Sequence, residues 1–128
     1  LVLEALVERT HSLGMLAVVE AHSRREALSA VEVGARCVAV DARDPETLDV
    51  DRSLFEQVAE VLPSTTIRVA EGGVAGPHDV MTYARAGADV VLVGEAVIRS
   101  ADPQQMVAEL VAAGSHPALL RTTHREAL

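Results

Sequence analysis

Three acids stand where short apolar runs give out. Glu20 follows Ala17-Val18-Val19, Asp41 follows Val38-Ala39-Val40, and Glu71 follows Ile67-Arg68-Val69-Ala70. A fourth apolar run, residues 89–93, ends on Gly94 and Glu95. Parallel α/β proteins bind ligands outside the carboxyl ends of their strands. If these runs are strands, Glu20, Asp41 and Glu71 converge on one face, where carboxylates can move protons. A single acid at a strand end more often just caps the following helix. Three placed alike favour a site.

The glycines add a second chemistry. Gly72-Gly73 and Gly94-Glu95 follow two successive runs. Glycine lets a backbone come close to a ligand and leaves N–H groups pointing at an anion. One pair alone would read as a turn. Two pairs at neighbouring strand ends, the second opening a short helical turn over 94–99, read as a phosphate cradle.

Other chemistries find less support. His11, His22, His78, His116 and His124 show no metal-ligand spacing, so no metal site and no cofactor are expected. His22, two residues after Glu20, is expected to be a hydrogen-bonded structural or surface histidine rather than a catalyst. Ser12, Ser53 and Ser100 lack the setting of an activated nucleophile. All 11 basic residues are Arg, so this chain supplies no lysine acid, base or Schiff base. The net charge of −8 argues against nucleic acid. No run approaches the length needed to span a bilayer. The one cysteine, Cys37, lies in an apolar run and is expected to be buried and reduced, in a cytoplasmic setting.

The positioning elements follow from periodicity. Residues 1–13 carry Leu3, Leu6, Val7 and Leu13 at helical spacing. Residues 15–19 read as a strand buried on both faces. Ser23 caps a helix over 24–33, with Glu26 at the capping-box position and Gly34 as the stop. A strand over 36–40 leads into the polar loop "DARDPETLDV". A helix over 51–61, a strand over 66–70, and a helix opened by Gly76-Pro77 and closed by Gly87 come next. The strand at 89–93 and the turn at 94–99 precede a last helix, capped by Asp102 and running to Ala113. The tail from Gly114 has weak patterning and is expected to be partly disordered. With 128 residues, one domain spanning 1–128 is expected. The chain opens on Leu1 already inside a helical pattern, so a preceding segment is expected.

Strand–helix alternation of this kind implies parallel strands with right-handed crossovers. "GARCVAVDA" at 34–42 and "GADVVLVGE" at 87–95 form a weak repeat, each a helix-ending Gly leading into a buried strand. A half of a (β/α)8 TIM barrel fits, with four parallel strands and helices outside. A small open flavodoxin-like sheet shares the element order.

The segments "AVVEAHS", "VAVDARDPETLDVD", "IRVAEGGV" and "GADVVLVGEAVIRSADP" resemble the second half of indole-3-glycerol phosphate synthase. Those enzymes are (β/α)8 barrels that close and decarboxylate a carboxyphenylamino-deoxyribulose phosphate in tryptophan synthesis. The segment Arg43-Asp44 with Thr47-Leu48 is the most specific piece; phosphoribosylanthranilate isomerase, another phosphate-binding barrel, lacks it. The resemblance implies acid–base work for Glu20, substrate orientation by Asp41, and a substrate-facing Glu71. It implies substrate binding by Arg43 and a phosphate cradle of Gly72, Gly73, Gly94 and Glu95.

Three positions depart from the pattern: Asp41 stands where an asparagine is usual, Gly72 where a serine is usual, and Pro45 where the loop usually has an apolar residue. The first swaps an amide donor for an acceptor-only carboxylate. The catalytic lysines of the family lie on the first half of the barrel. The chain is therefore expected to be inactive alone and to need a missing N-terminal half-barrel, or to self-associate as a homodimer. A non-catalytic phosphate-binding half-barrel, or a remnant, is the alternative. The expected small-molecule partner is a phosphorylated substrate.

Overall fold

A computed structural model describes residues 2–120. Helix α1 (Val2–Ser12) leads into four strand–helix units. These are β1 (Val18–Ala21) with α2 (Arg24–Glu32), β2 (Cys37–Asp41) with α3 (Ser53–Ala59), and β3 (Ile67–Glu71) with α4 (Pro77–Arg85). The last unit is β4 (Val90–Val91), followed by α5 (Glu95–Arg99), α6 (Pro103–Gly114) and α7 (Pro117–Leu120).

The strands pair in parallel and in sequence order, β1-β2-β3-β4. Sequential order sends every right-handed crossover to the same side of the sheet. An open doubly wound sheet would reverse its order and carry helices on both faces. The order observed is that of half a barrel, and it removes the flavodoxin-like alternative.

Side-chain alternation divides the sheet into two unlike faces. Val38, Val40 and Ala70 face the helices and join Ala27, Ala30, Phe55, Val58 and Tyr83 in the main core. The Phe55 and Tyr83 rings meet edge to face, with centroids 5.5 Å apart. With so few aromatics, alanines on α2 let that helix lie close to the strands. On the opposite face Cys37, Ala39 and Val69 form a small separate cluster. Around it, Val18 is 57% exposed, Val90 46% and Leu92 58%. No other described residue covers the apolar face that would line a barrel.

That explains one correction. The strand expected at 15–19 begins only at Val18, and it is not buried on both faces. Met15 and Leu16 are exposed in the lead-in. Glu20 consequently lies inside β1 rather than at its end. The fourth strand is also shorter than the expected 89–93; it is an edge, with a neighbour on one side only. The helix expected at 51–61 is confined to 53–59.

Helix ends follow their sequence signals. Gly34 and Gly87 adopt φ of 86° and 101°. The next residue donates back to the last turn in each case, Ala35 N–H to Ala30 O and Ala88 N–H to Tyr83 O, both at 3.0 Å. The two halves of the weak repeat thus share one helix stop. Ser23 Oγ accepts from Glu26 N–H at 3.2 Å, as a cap should. Glu26 reaches one residue further back than a capping box requires, accepting from His22 N–H at 2.7 Å. Asp79 does the same on α4, accepting from Ala75 N–H at 2.8 Å. Of the tail expected to be disordered, residues 117–120 form α7, with Leu119 buried. Residues 121–128 lie outside the described residues. Among the described residues no helix is long and apolar enough to cross a membrane.

Candidate functional site

β2 and β3 end level. Asp41 is opposite Glu71 in the ladder, and Glu20 is opposite Ala39, two residues earlier. By alternation all three carboxylates lie on the uncovered face, Glu20 one pleat below the other two. Asp41, Arg43, Glu71, Gly72 and Gly73 line a cavity of about 690 Å³ at the carboxyl ends of the strands, together with Gly94 and Glu95. Glu20 is outside that lining. His22 connects it to the rest. Its Nε2 lies 3.0 Å from Glu20 Oε1 and 3.7 Å from Asp41 Oδ2, and its Nδ1 lies 3.4 Å from Glu26 Oε2.

The half-buried His22 ring thus stands among three carboxylates. The donor atoms of Glu20, His22 and Asp41 all lie within 4.8 Å of one another, close enough to share a cation. Sequence spacing missed this grouping because it joins two strands. Glu71 has its carboxyl pushed up, first by burial and then by the carboxylates of Glu20 and Asp41, with His22 partly opposing. A carboxyl kept protonated to higher pH than usual is better able to give up a proton as an acid.

The cavity's other wall is built from glycine loops. Gly72 and Gly73 have φ of 79° and 66°. A Cβ on Gly72 would run into the Asp41 carboxylate, and one on Gly73 into the Val50 side chain. Torsion and space both favour glycine at the two positions. The loop is tied from three sides. Tyr83 OH donates to Gly72 O at 3.0 Å, Arg52 Nε donates to Gly73 O at 2.8 Å, and Asp79 accepts from Ala75 N–H. The first two ties occupy carbonyls. The N–H groups of Gly73, Val74 and Gly94 make no hydrogen bond among the described residues.

Charge is balanced across the opening. Arg43 Nη2 lies 3.5 Å from Glu95 Oε2, and Arg99 Nε lies 3.1 Å from Glu95 Oε1. Glu95 therefore stands between two guanidiniums rather than alone beside the free N–H groups. Arg52 and Arg99 line the cavity but were not anticipated from sequence. The i,i+4 spacing of Glu95 and Arg99 on α5 was a readable signal for the second. Arg52 offered none, because its partners lie on another loop.

The loop after β2 positions Arg43. Asp44 Oδ1 accepts from Glu46 N–H and Thr47 N–H, both at 2.8 Å, which closes the turn. These same bonds hold the Asp44 carboxyl below its ordinary range. Arg43 then bridges back to Val50.

The sequence profile described as indole-3-glycerol phosphate synthase matches residues 1–110. The chain belongs to the indole-3-glycerol phosphate synthase family. It is 55% identical over 123 residues to the indole-3-glycerol phosphate synthase of Beutenbergia cavernae, covering 96% of this chain and 46% of that protein. It is 53% identical over 116 residues to the one from Mycobacterium tuberculosis, covering 91% of this chain and 43% of that protein. The chain spans less than half the length of these relatives. Among solved structures, thiamine phosphate pyrophosphorylase from Pyrococcus furiosus superposes with a TM-score of 0.73 at 21% identity, over 88% of this chain and 54% of that one. N-acetylmannosamine-6-phosphate 2-epimerase from Clostridium perfringens gives a TM-score of 0.66 at 22% identity, over 85% and 47%. At such identities the likeness establishes the fold alone. Four parallel strands in sequence order, with helices on one side, fit half of a (β/α)8 barrel.

Proposed function

We propose that this chain carries the carboxyl half of an indole-3-glycerol phosphate synthase barrel and works once the first four strands close it. Those strands could precede it on one polypeptide or come from a second chain. The reaction is ring closure and decarboxylation of carboxyphenylamino-deoxyribulose phosphate. The observation that carries this reading is a site split by charge. Three carboxylates, on Glu20, Asp41 and Glu71, gather on an uncovered apolar face with no lysine anywhere in the chain.

In this reading the free N–H groups of Gly73 and Gly94 receive the phosphate, with Gly72 shaping the loop. Arg43 and Arg99 hold Glu95 away from it and supply positive field. Glu71, with its raised carboxyl, and Glu20, held by His22, pass protons to and from the ring-closing intermediate. Asp41 accepts hydrogen bonds from the substrate body. The general acid for loss of the hydroxyl must be a lysine of the other half. A second copy of this chain would bring three more carboxylates to the same face. A basic half-barrel is therefore the better partner electrostatically. A metabolic enzyme of this kind, with a single buried thiol at Cys37, suits the cytoplasm.

The N–H groups proposed to receive the phosphate all belong to this chain, which favours a second reading: ligand binding without turnover when the chain is alone. Titrating inorganic phosphate into the 128-residue chain, followed by amide NMR, tests the cradle. The resonances of Gly73, Val74 and Gly94 should move, while those of α1 stay. Uniform small shifts, or none at millimolar phosphate, would count against it.

A further inference from the structure

The ends of β2 and β3 are sewn together just beyond the strands. Ala42 N–H donates to Glu71 O at 2.9 Å, so Ala42-Arg43 and Gly72-Gly73 run side by side. The Asp41 carboxylate turns back into this seam. Its Oδ1 accepts from Arg43 N–H at 2.9 Å, and its Oδ2 faces His22. The space that Oδ1 fills is the space a side chain at residue 72 would need. A Cβ there would run into Asp41 Oδ1 and stand 3.2 Å from both Ala42 N and Arg43 N. The Gly72 peptide is not free to move aside, because its carbonyl accepts from the buried Tyr83 hydroxyl.

We propose that Gly72 is a positioning residue for Asp41: its missing side chain is the seat of the Asp41 carboxylate. A side chain at 72 expels that carboxylate from the Arg43 N–H. The displaced charge then enters the cavity beside the free N–H groups of Gly73 and Val74. There it competes with any incoming anion. The effect on ligand rests on the proposed function. The seating of Asp41 does not.

A double-mutant cycle on the 128-residue chain separates the two. The variants are Gly72→Ala, Asp41→Ala and the pair together. The left-handed backbone strain that Gly72→Ala introduces is present whether residue 41 is Asp or Ala, so it cancels. Urea midpoints should fall at least twice as far on Gly72→Ala when residue 41 is Asp as when it is Ala. Hydrogen exchange at the Arg43 amide should quicken at least tenfold in Gly72→Ala and match Asp41→Ala. If Gly72→Ala fails to fold and the double variant folds, the seating is supported equally. Equal falls in both backgrounds, failure of both to fold, or unchanged Arg43 exchange would overturn it. In the same samples, inorganic phosphate should bind Gly72→Ala severalfold more weakly and recover in the double variant. If phosphate binds no variant and not the parent, the anion-site reading fails while the cycle still decides the role of Gly72.

Discussion

Arg52 Nε lies 2.8 Å from the carbonyl oxygen of Gly73 and 3.3 Å from Asp79 Oδ1. One guanidinium at the start of α3 therefore fixes the loop after β3, and Asp79 completes the clamp through Ala75 N–H. The hydrogen bond to Gly73 is charge-assisted but half-exposed. Arg52→Ala should cost about 1 kcal/mol in urea unfolding. Amide exchange across 73–75 should quicken more than exchange in β2. Unchanged exchange in that loop would mean that the glycines hold their shape without the clamp.

Tyr83 shows how the core reaches the site. Its ring packs against Phe55 while its hydroxyl supports Gly72. Tyr83→Phe keeps the ring and leaves the Gly72 carbonyl without its buried donor. The expected cost is about 1–2 kcal/mol. A loss near zero would show that water replaces the hydroxyl there.

Much of this was legible in the sequence, and for physical reasons. Ser23, Gly34, Gly87, Pro103 and Asp102 act locally, through bonds within a few residues, so their signals survive without tertiary context. Asp41, Glu71 and the glycine pairs were readable because strand ends have a fixed place in parallel folds. The run at 15–19 misleads because its apolar residues do not mean burial here. Its inner-facing side chains are apolar for a barrel interior that these residues alone do not close. Arg52 and Tyr83 join the site through partners on the loop after β3, and His22 reaches Asp41 on the next strand, which no local pattern encodes. The close approach of Asp41 and Gly72, two of the positions that depart from the pattern the chain resembles, becomes visible only once β2 and β3 are in register.

The carboxyls predict opposite pH trends. Glu71 has a raised folded pKa, so proton binding favours the folded state. That contribution is full below the ordinary carboxylate range and is lost as pH rises through the raised value. Asp44 and Asp51 are lowered by hydrogen bonds from their turns. Their contribution is present above the ordinary range and is lost as pH falls through the lowered values. Glu71→Gln should therefore gain stability relative to the parent as pH rises from about 4 to 7, and keep the acid-side loss. Urea midpoints across that range check it. Parallel curves for parent and variant would remove Glu71 as a proton-holding group.

Leu48 is the one non-glycine residue with positive φ among the described residues, at 64°, and its side chain is 61% exposed. A left-handed torsion costs a leucine about 1 kcal/mol. Leu48→Gly should raise stability by up to about that amount, read as a higher unfolding midpoint. A lower midpoint would show that the Leu48 side chain stabilises the loop that carries Arg43.

In the proposed reading this chain contributes one half of a synthase site and a lysine-bearing half-barrel contributes the other. The direct measurement is turnover of carboxyphenylamino-deoxyribulose phosphate to indole-3-glycerol phosphate, followed by indole fluorescence. The chain is assayed alone and then joined to the first four strands of the Beutenbergia cavernae relative. The account predicts no turnover alone, turnover on joining, and a loss of at least about a hundredfold when Glu20→Gln is introduced. A joined barrel that folds and stays inactive, or one whose activity ignores Glu20→Gln, would contradict it.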